Sequence, residues 1–137
     1  MMKKIPCDFF GEGEEIYFNV GRLVELEEAL KKPISKIMSE EFGLKELAHC
    51  CVIGFKQERR KSFSWYTEKL QELVDEGYTF EMLAAPVLKA IIGSGILGKQ
   101  AYFSVFPEDM TEEDRAEEKI SAEGKSKNSR RGRPPKQ

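Results

Sequence analysis

Ile16-Tyr17-Phe18-Asn19-Val20-Gly21-Arg22-Leu23-Val24-Glu25-Leu26-Glu27-Glu28-Ala29-Leu30-Lys31-Lys32-Pro33-Ile34-Ser35-Lys36-Ile37 is the stretch that decides the fold. Its first five residues read as a strand and the next ten as a helix. Leu23, Leu26 and Leu30 recur at i, i+3 and i+7, an apolar stripe on one helix face with Val24 at its edge. Glu27 to Lys31 and Glu28 to Lys32 have the favourable i,i+4 order, which predicts a solvated opposite face. Pro33 lacks an N–H and disfavours helical geometry at Lys32, so the helix is expected to stop there. Nothing in this stretch singles out its carboxylates or lysines for catalysis.

Working outward, Lys4 to Val20 reads as a β-hairpin. Ile5, Cys7 and Phe9 alternate with Pro6, Asp8 and Phe10, and Gly11-Glu12-Gly13 supplies two positions free to take positive φ. An isolated hairpin is marginal, so it must lie on helices. A short helix is expected from Ile34 to Glu41. The next is predicted from Leu44, Leu47, Ala48, Cys51, Val52 and Phe55, spaced for a core face three turns long. After a charged connector, Lys56 to Lys61, Ser62 or Ser64 can cap a helix with Tyr66, Leu70, Leu73 and Val74 inward, stopped by Gly77. Thr79 caps another, in which Phe80, Leu83, Ala84, Val87, Leu88, Ile91 and Ile92 make a broad apolar surface, with Pro86 expected to kink or break it. That breadth predicts the central helix of a bundle, or one that also meets a partner. Ala101 to Phe106 reads as an aromatic, β-prone hexamer. Thr111 with Asp114 can open a helix that has little apolar face to bury.

These elements add up to a mainly α fold: a small helical bundle with an N-terminal β-hairpin, residues 1–107. A flexible charged extension, 108–137, is expected to follow, and the composition of its last fourteen residues predicts disorder. The 34 % charged and 40 % apolar fractions fit a folded part carrying such a tail. No apolar run reaches the roughly 20 residues of a membrane span, and no signal peptide opens the chain, so a cytoplasmic protein is expected. Net charge is −2. Six basic and no acidic residues follow Gly124, which leaves 16 basic against 24 acidic residues before it, a net of −8. An acidic body with a basic tail points to a partner or to self-contact.

Candidate chemistry is sparse. Cys7, Cys50 and Cys51 form no disulfide framework, and consecutive His49, Cys50 and Cys51 diverge on a helix by about 100° per residue, so no metal site is expected. Cys51 alone of the three is expected in the core. Gly93-Ser94-Gly95-Ile96-Leu97-Gly98-Lys99 satisfies G-x-G-x-x-G, and satisfies G-x-x-x-x-G-K with Gln100 where Ser or Thr is required. It follows a helix rather than a strand, so a helix cap and turn is the better reading, and no cofactor is expected. His49 has no triad partners, and nothing singles out a carboxylate pair, so no enzyme is expected. Trp65, Tyr102, Phe103 and Phe106 are the aromatic candidates for a protein interface. Arg131, Gly132, Arg133 and Pro134 resemble an AT-hook: two arginines flank a residue without a side chain, which suits a narrow minor groove. That tail supports an alternative reading, a small DNA-associated regulator.

The order of hairpin, Gly21-Arg22-Leu23-Val24-Glu25-Leu26-Glu27-Glu28-Ala29-Leu30, Lys32-Pro33-Ile34, Leu70-Gln71-Glu72-Leu73-Val74-Asp75-Glu76-Gly77 and Gly93 to Lys99 resembles the tail assembly chaperones of long-tailed bacteriophages, prophages and gene transfer agents. The similarity spans Ile5 to Lys99 and leaves the basic tail outside. It implies a non-enzymatic virion assembly factor that self-associates, binds the tape measure protein to keep it soluble, recruits tail tube protein, and leaves the finished tail. Such factors act in the host cytoplasm and often have a longer, frameshifted form.

Overall fold

The computed structural model describes residues 2–39, 42–58 and 60–116. It is mainly helical with a two-stranded N-terminal hairpin, and its described residues fall into two units, divided between Val105 and Phe106. In the first unit β1 (Ile5–Pro6) pairs antiparallel with β2 (Glu15–Ile16), in the register Ile5 to Ile16 and Pro6 to Glu15. Then follow α1 (Val20–Leu30), α2 (Ile34–Ser39), α3 (Leu44–Gly54), α4 (Phe63–Asp75), α5 (Phe80–Ile92) and α6 (Lys99–Val105). In the second unit a 3-10 turn, Pro107–Asp109, precedes a reciprocal cap. There the Asp114 N–H donates to Thr111 Oγ1, and the Thr111 N–H donates to Asp114 Oδ2.

Asn19 ends the extended segment earlier than the sequence pattern predicts. Its side chain accepts from the Arg22 N–H at 2.9 Å, a cap that draws Val20 and Gly21 into α1. Leu23, Leu26 and Leu30 are all buried, as their spacing predicts. Pro33 does not end α1. The helix stops at Leu30 because Lys31 turns left-handed (φ 59°), its N–H still bonded to the Glu27 carbonyl. Pro33 instead opens α2, its carbonyl accepting from the Lys36 and Ile37 N–H groups. Glu27 caps the same helix through the Ile34 N–H at 2.8 Å, and Lys32 turns away to Glu46 at 2.9 Å.

α3 packs against α1, α4 and α5, while α5, expected at the centre of the bundle or against a partner, packs against α3, α6 and both strands. The buried face of α3 is also rotated from the pattern. Leu44 is 62 % exposed and Val52 half-buried, while Cys50, Ile53 and Gly54 join Leu47, Ala48 and Cys51 inside. A helix with neighbours on three sides buries residues that a single-stripe reading assigns to solvent. Cys50 is therefore a core residue like Cys51, and Cys7, next to β1, is buried as well. Burial raises the Cys7 thiol to about 11 and pushes those of Cys50 and Cys51 well above the ordinary thiol range.

Ser62 caps α4 by accepting from the Trp65 N–H, and Tyr66, Leu70 and Leu73 point inward while Val74 is 47 % exposed. Gly77 (φ 107°) closes α4 in a Schellman arrangement: its N–H reaches the Val74 carbonyl and that of Tyr78 the Leu73 carbonyl. Thr79 caps α5, which runs unbroken through Pro86.

The hairpin packs on α5 and is also fastened to the end of α3. Gly54, the last residue of α3, lies under Ile16 and Phe18, both wholly buried. Its carbonyl accepts from the Tyr17 N–H at 3.3 Å and from Arg22 Nη1 at 3.0 Å. Arg22 Nη1 also donates to Gln57 Oε1, and the guanidinium lies 3.8 Å from the centre of the Tyr17 ring. Gln57 Nε2 donates to the Glu15 carbonyl and Glu58 Oε2 accepts from the Glu15 N–H. The outward peptide groups of β2 are thus taken by side chains. On β1 the outward residue, paired with Glu15, is Pro6, which has no N–H to offer.

Candidate protein-interaction surface

α5 is built from Phe-Glu-Met-Leu-Ala-Ala-Pro-Val-Leu-Lys-Ala-Ile-Ile, with Glu81 and Lys89 its only charges. Leu83, Ala84, Val87, Ala90 and Ile91 are buried against the rest of the first unit. Nonetheless the outward side is apolar too. Met82 is 48 % exposed, Ala85 is exposed, and Pro86, Leu88 and Ile92 are half-buried. Across the 17 residues from Met82 to Gly98 the sequence carries one charge, Lys89. Isolated exposed apolar residues are ordinary, whereas a run of them with so little charge is a candidate contact surface.

The run continues into the glycine-rich turn. Gly93 caps α5, and the N–H groups of Ser94 and Gly95 return to the carbonyls of Ile91 and Ile92. Gly95 (φ 86°) and Gly98 (φ 97°) then reverse the chain around Ile96 and Leu97, which are 48 % and 40 % exposed. Such φ values strain any residue with a Cβ. The turn leaves a helix C-terminus, whose carbonyls repel phosphate, and α6 beyond it has seven residues. A phosphate cradle is not what these glycines build.

Of the aromatic candidates, Tyr102 and Phe106 are buried and Phe103 is half-buried. Ala101 to Val105 is helical rather than extended, because Gly98 starts α6 by accepting the Tyr102 N–H and helical spacing turns the Tyr102 ring inward. Trp65 is half-buried, with Lys61 and Lys69 Nζ at 5.2 and 5.8 Å from its ring. Sequence reasoning missed Met82, Ala85, Ile96 and Leu97. The signal was the scarcity of charge across residues that helical spacing assigns to solvent.

His49 packs its ring 4.5 Å from that of Phe63, and burial together with nearby Lys45 lowers its pKa. Glu46 Oε2 takes the Lys32 ammonium and its Oε1 accepts the Gly43 N–H at 2.9 Å. Burial pushes that carboxyl up, but these bonds outweigh it and hold the pKa below the usual range. Both groups are explained by packing. Among the described residues no cluster of His, Cys, Asp or Glu is arranged to hold a metal, and no helix is long and apolar enough to cross a membrane. Arg131, Gly132, Arg133 and Pro134 lie outside the described residues. Comparison with protein families, curated proteins and solved structures finds no match to this chain.

Proposed function

We propose that this protein is a tail assembly chaperone of a bacteriophage, prophage or gene transfer agent, acting by binding and not by catalysis. The supporting observation is the outer side of α5 and the turn after it, an apolar surface with a single charge between Met82 and Gly98. A client that is long, helical and apolar aggregates unless its stripe is covered, and a helix face of this kind can cover it. In this reading several copies coat the tape measure protein in the host cytoplasm and bring tail tube protein to it. Co-expression with the tape measure protein encoded beside this chain, followed by affinity capture, tests the reading. Capture together with more soluble tape measure protein is the expected result. An uncaptured, insoluble tape measure protein refutes it.

A further inference from the structure

We infer that a hollow between the hairpin and the end of α4 receives this chain's own basic segment, Arg130–Lys136. The inference is independent of the client-binding reading above. The hollow holds about 350 Å³, walled by Asp8 and Phe9 after β1 and by Glu72, Glu76 and Tyr78 from α4 and its closing turn. The rings of Phe9 and Tyr78 meet edge to face with centroids 5.1 Å apart, and both are half-buried, so part of each stays open. Asp8, Glu72 and Glu76 are exposed. Lys69 also lines the hollow, but its ammonium is held by Glu72 at 3.3 Å and lies against the Trp65 ring. Among the described residues no ammonium or guanidinium pairs with Asp8 or Glu76. Other carboxylates of the first unit are occupied: Glu25 by Lys56, Glu46 by Lys32, Glu27 by the Ile34 N–H and Glu58 by that of Glu15. The end of α4 is also short of positive charge. Its last turn has no basic residue, and Glu72 and Glu76 are like charges at i,i+4 where the helix dipole favours cations.

The occupant matches in charge and in chemistry. Three carboxylates against Lys69 leave the hollow with a net charge of −2. Arg130-Arg131-Gly132-Arg133-Pro134-Pro135-Lys136, outside the described residues, carries four cations and no anion. A guanidinium pairs with carboxylates and also stacks on aromatic rings, so one arginine can use Glu76 and Tyr78 together. Proline-bearing segments suit aromatic rings as well, because their fixed φ leaves little freedom to lose on docking. A bare metal ion fits less well, since no cluster of His, Cys, Asp or Glu among the described residues is arranged to hold one. Reach sets no limit. Arg130 lies 14 residues beyond Ala116, the last described residue, and that length of extended chain spans about 46–50 Å, against roughly 30 Å for a small domain. Tethering also holds the segment at about millimolar local concentration, which populates a contact too weak to form between molecules.

Trypsin reads the contact on the full chain, because it cuts after Arg130 and Arg131 only when the segment is free. Mass spectrometry is expected to find these cuts roughly three- to tenfold slower at low salt than in a synthetic peptide of residues 124–137. The protection should shrink in about 0.5 M salt. Glu76→Lys should abolish it, whereas Glu28→Lys, an equal change of charge at an exposed position on α1, should leave it in place. Circular dichroism and thermal unfolding check that both variants fold, and Asp8→Asn/Glu76→Gln stands in if Glu76→Lys does not. Cutting as fast in the wild-type chain as in the peptide overturns the inference. So does equal loss of protection in Glu28→Lys, which would reduce the contact to a general effect of charge. Protection that fades on dilution would put a second copy's segment in the hollow and overturn the assignment to the same chain.

Discussion

Replacing Gly54 by Ala isolates the packing of hairpin on helix from helix propensity, because the two act in opposite directions. A Cβ built on Gly54 falls 2.5 Å from Ile16 Cγ1, 2.8 Å from Ile16 Cδ1 and 3.1 Å from Phe18 Cζ. Atoms in contact normally sit about 3.5–4.0 Å apart, so all three approaches are repulsive. Neither neighbour has room to retreat, since Ile16 and Phe18 are fully buried. Overpacking of this kind costs about 1–3 kcal/mol, while Gly to Ala in a helix gains at most about 1 kcal/mol. The carbonyl of residue 54 also receives Tyr17 and Arg22, so any backbone retreat loosens both bonds. Net destabilisation of about 1–2 kcal/mol is expected in urea unfolding, read as a lower midpoint at unchanged slope. A double-mutant cycle sharpens the result: in an Ile16→Ala background the same change should cost much less, because only the 3.1 Å approach to Phe18 Cζ remains. A Gly54→Ala chain as stable as wild type would show that the hairpin does not press on α3 as described.

Glu46 stabilises the fold above the ordinary carboxylate range, because its carboxyl titrates lower when folded; that stability should drain as pH falls through the folded value, and Glu46→Gln should flatten the acid limb of a stability–pH profile. Lys31→Gly should raise stability by about 0.5–1 kcal/mol in the same denaturant assay, since it relieves a left-handed non-glycine residue at the end of α1. Cys7, Cys50 and Cys51 should resist a thiol reagent in native buffer and all react in denaturant; rapid native labelling of Cys50 or Cys51 would contradict their burial.

What the residues disclosed in advance, and what they hid, follows from how many neighbours each element has. α1 touches the bundle on one side, so its leucine spacing names its core correctly. α3 touches three helices, and its buried set could not be found from one stripe. Ala101 to Phe106 looks extended because aromatic residues favour strands on average, yet a helix start at Gly98 and burial of Tyr102 decide otherwise. The role of Lys31 was invisible for another reason. A left-handed lysine looks in sequence like any other, and the proline two residues on took the credit for stopping the helix. The candidate surface was half legible: the apolar breadth of α5 could be read off, whereas which of its residues stay uncovered depended on where α3 and the hairpin settle.

The closure of both hairpin margins, by Gln57 and Glu58 on one flank and by Pro6 on the other, has a consequence for crowding. Copies of this chain brought to high local density would lack a ready seam along which backbone could zip to backbone. Crowding would then leave them as separate molecules, with no fibre to dismantle.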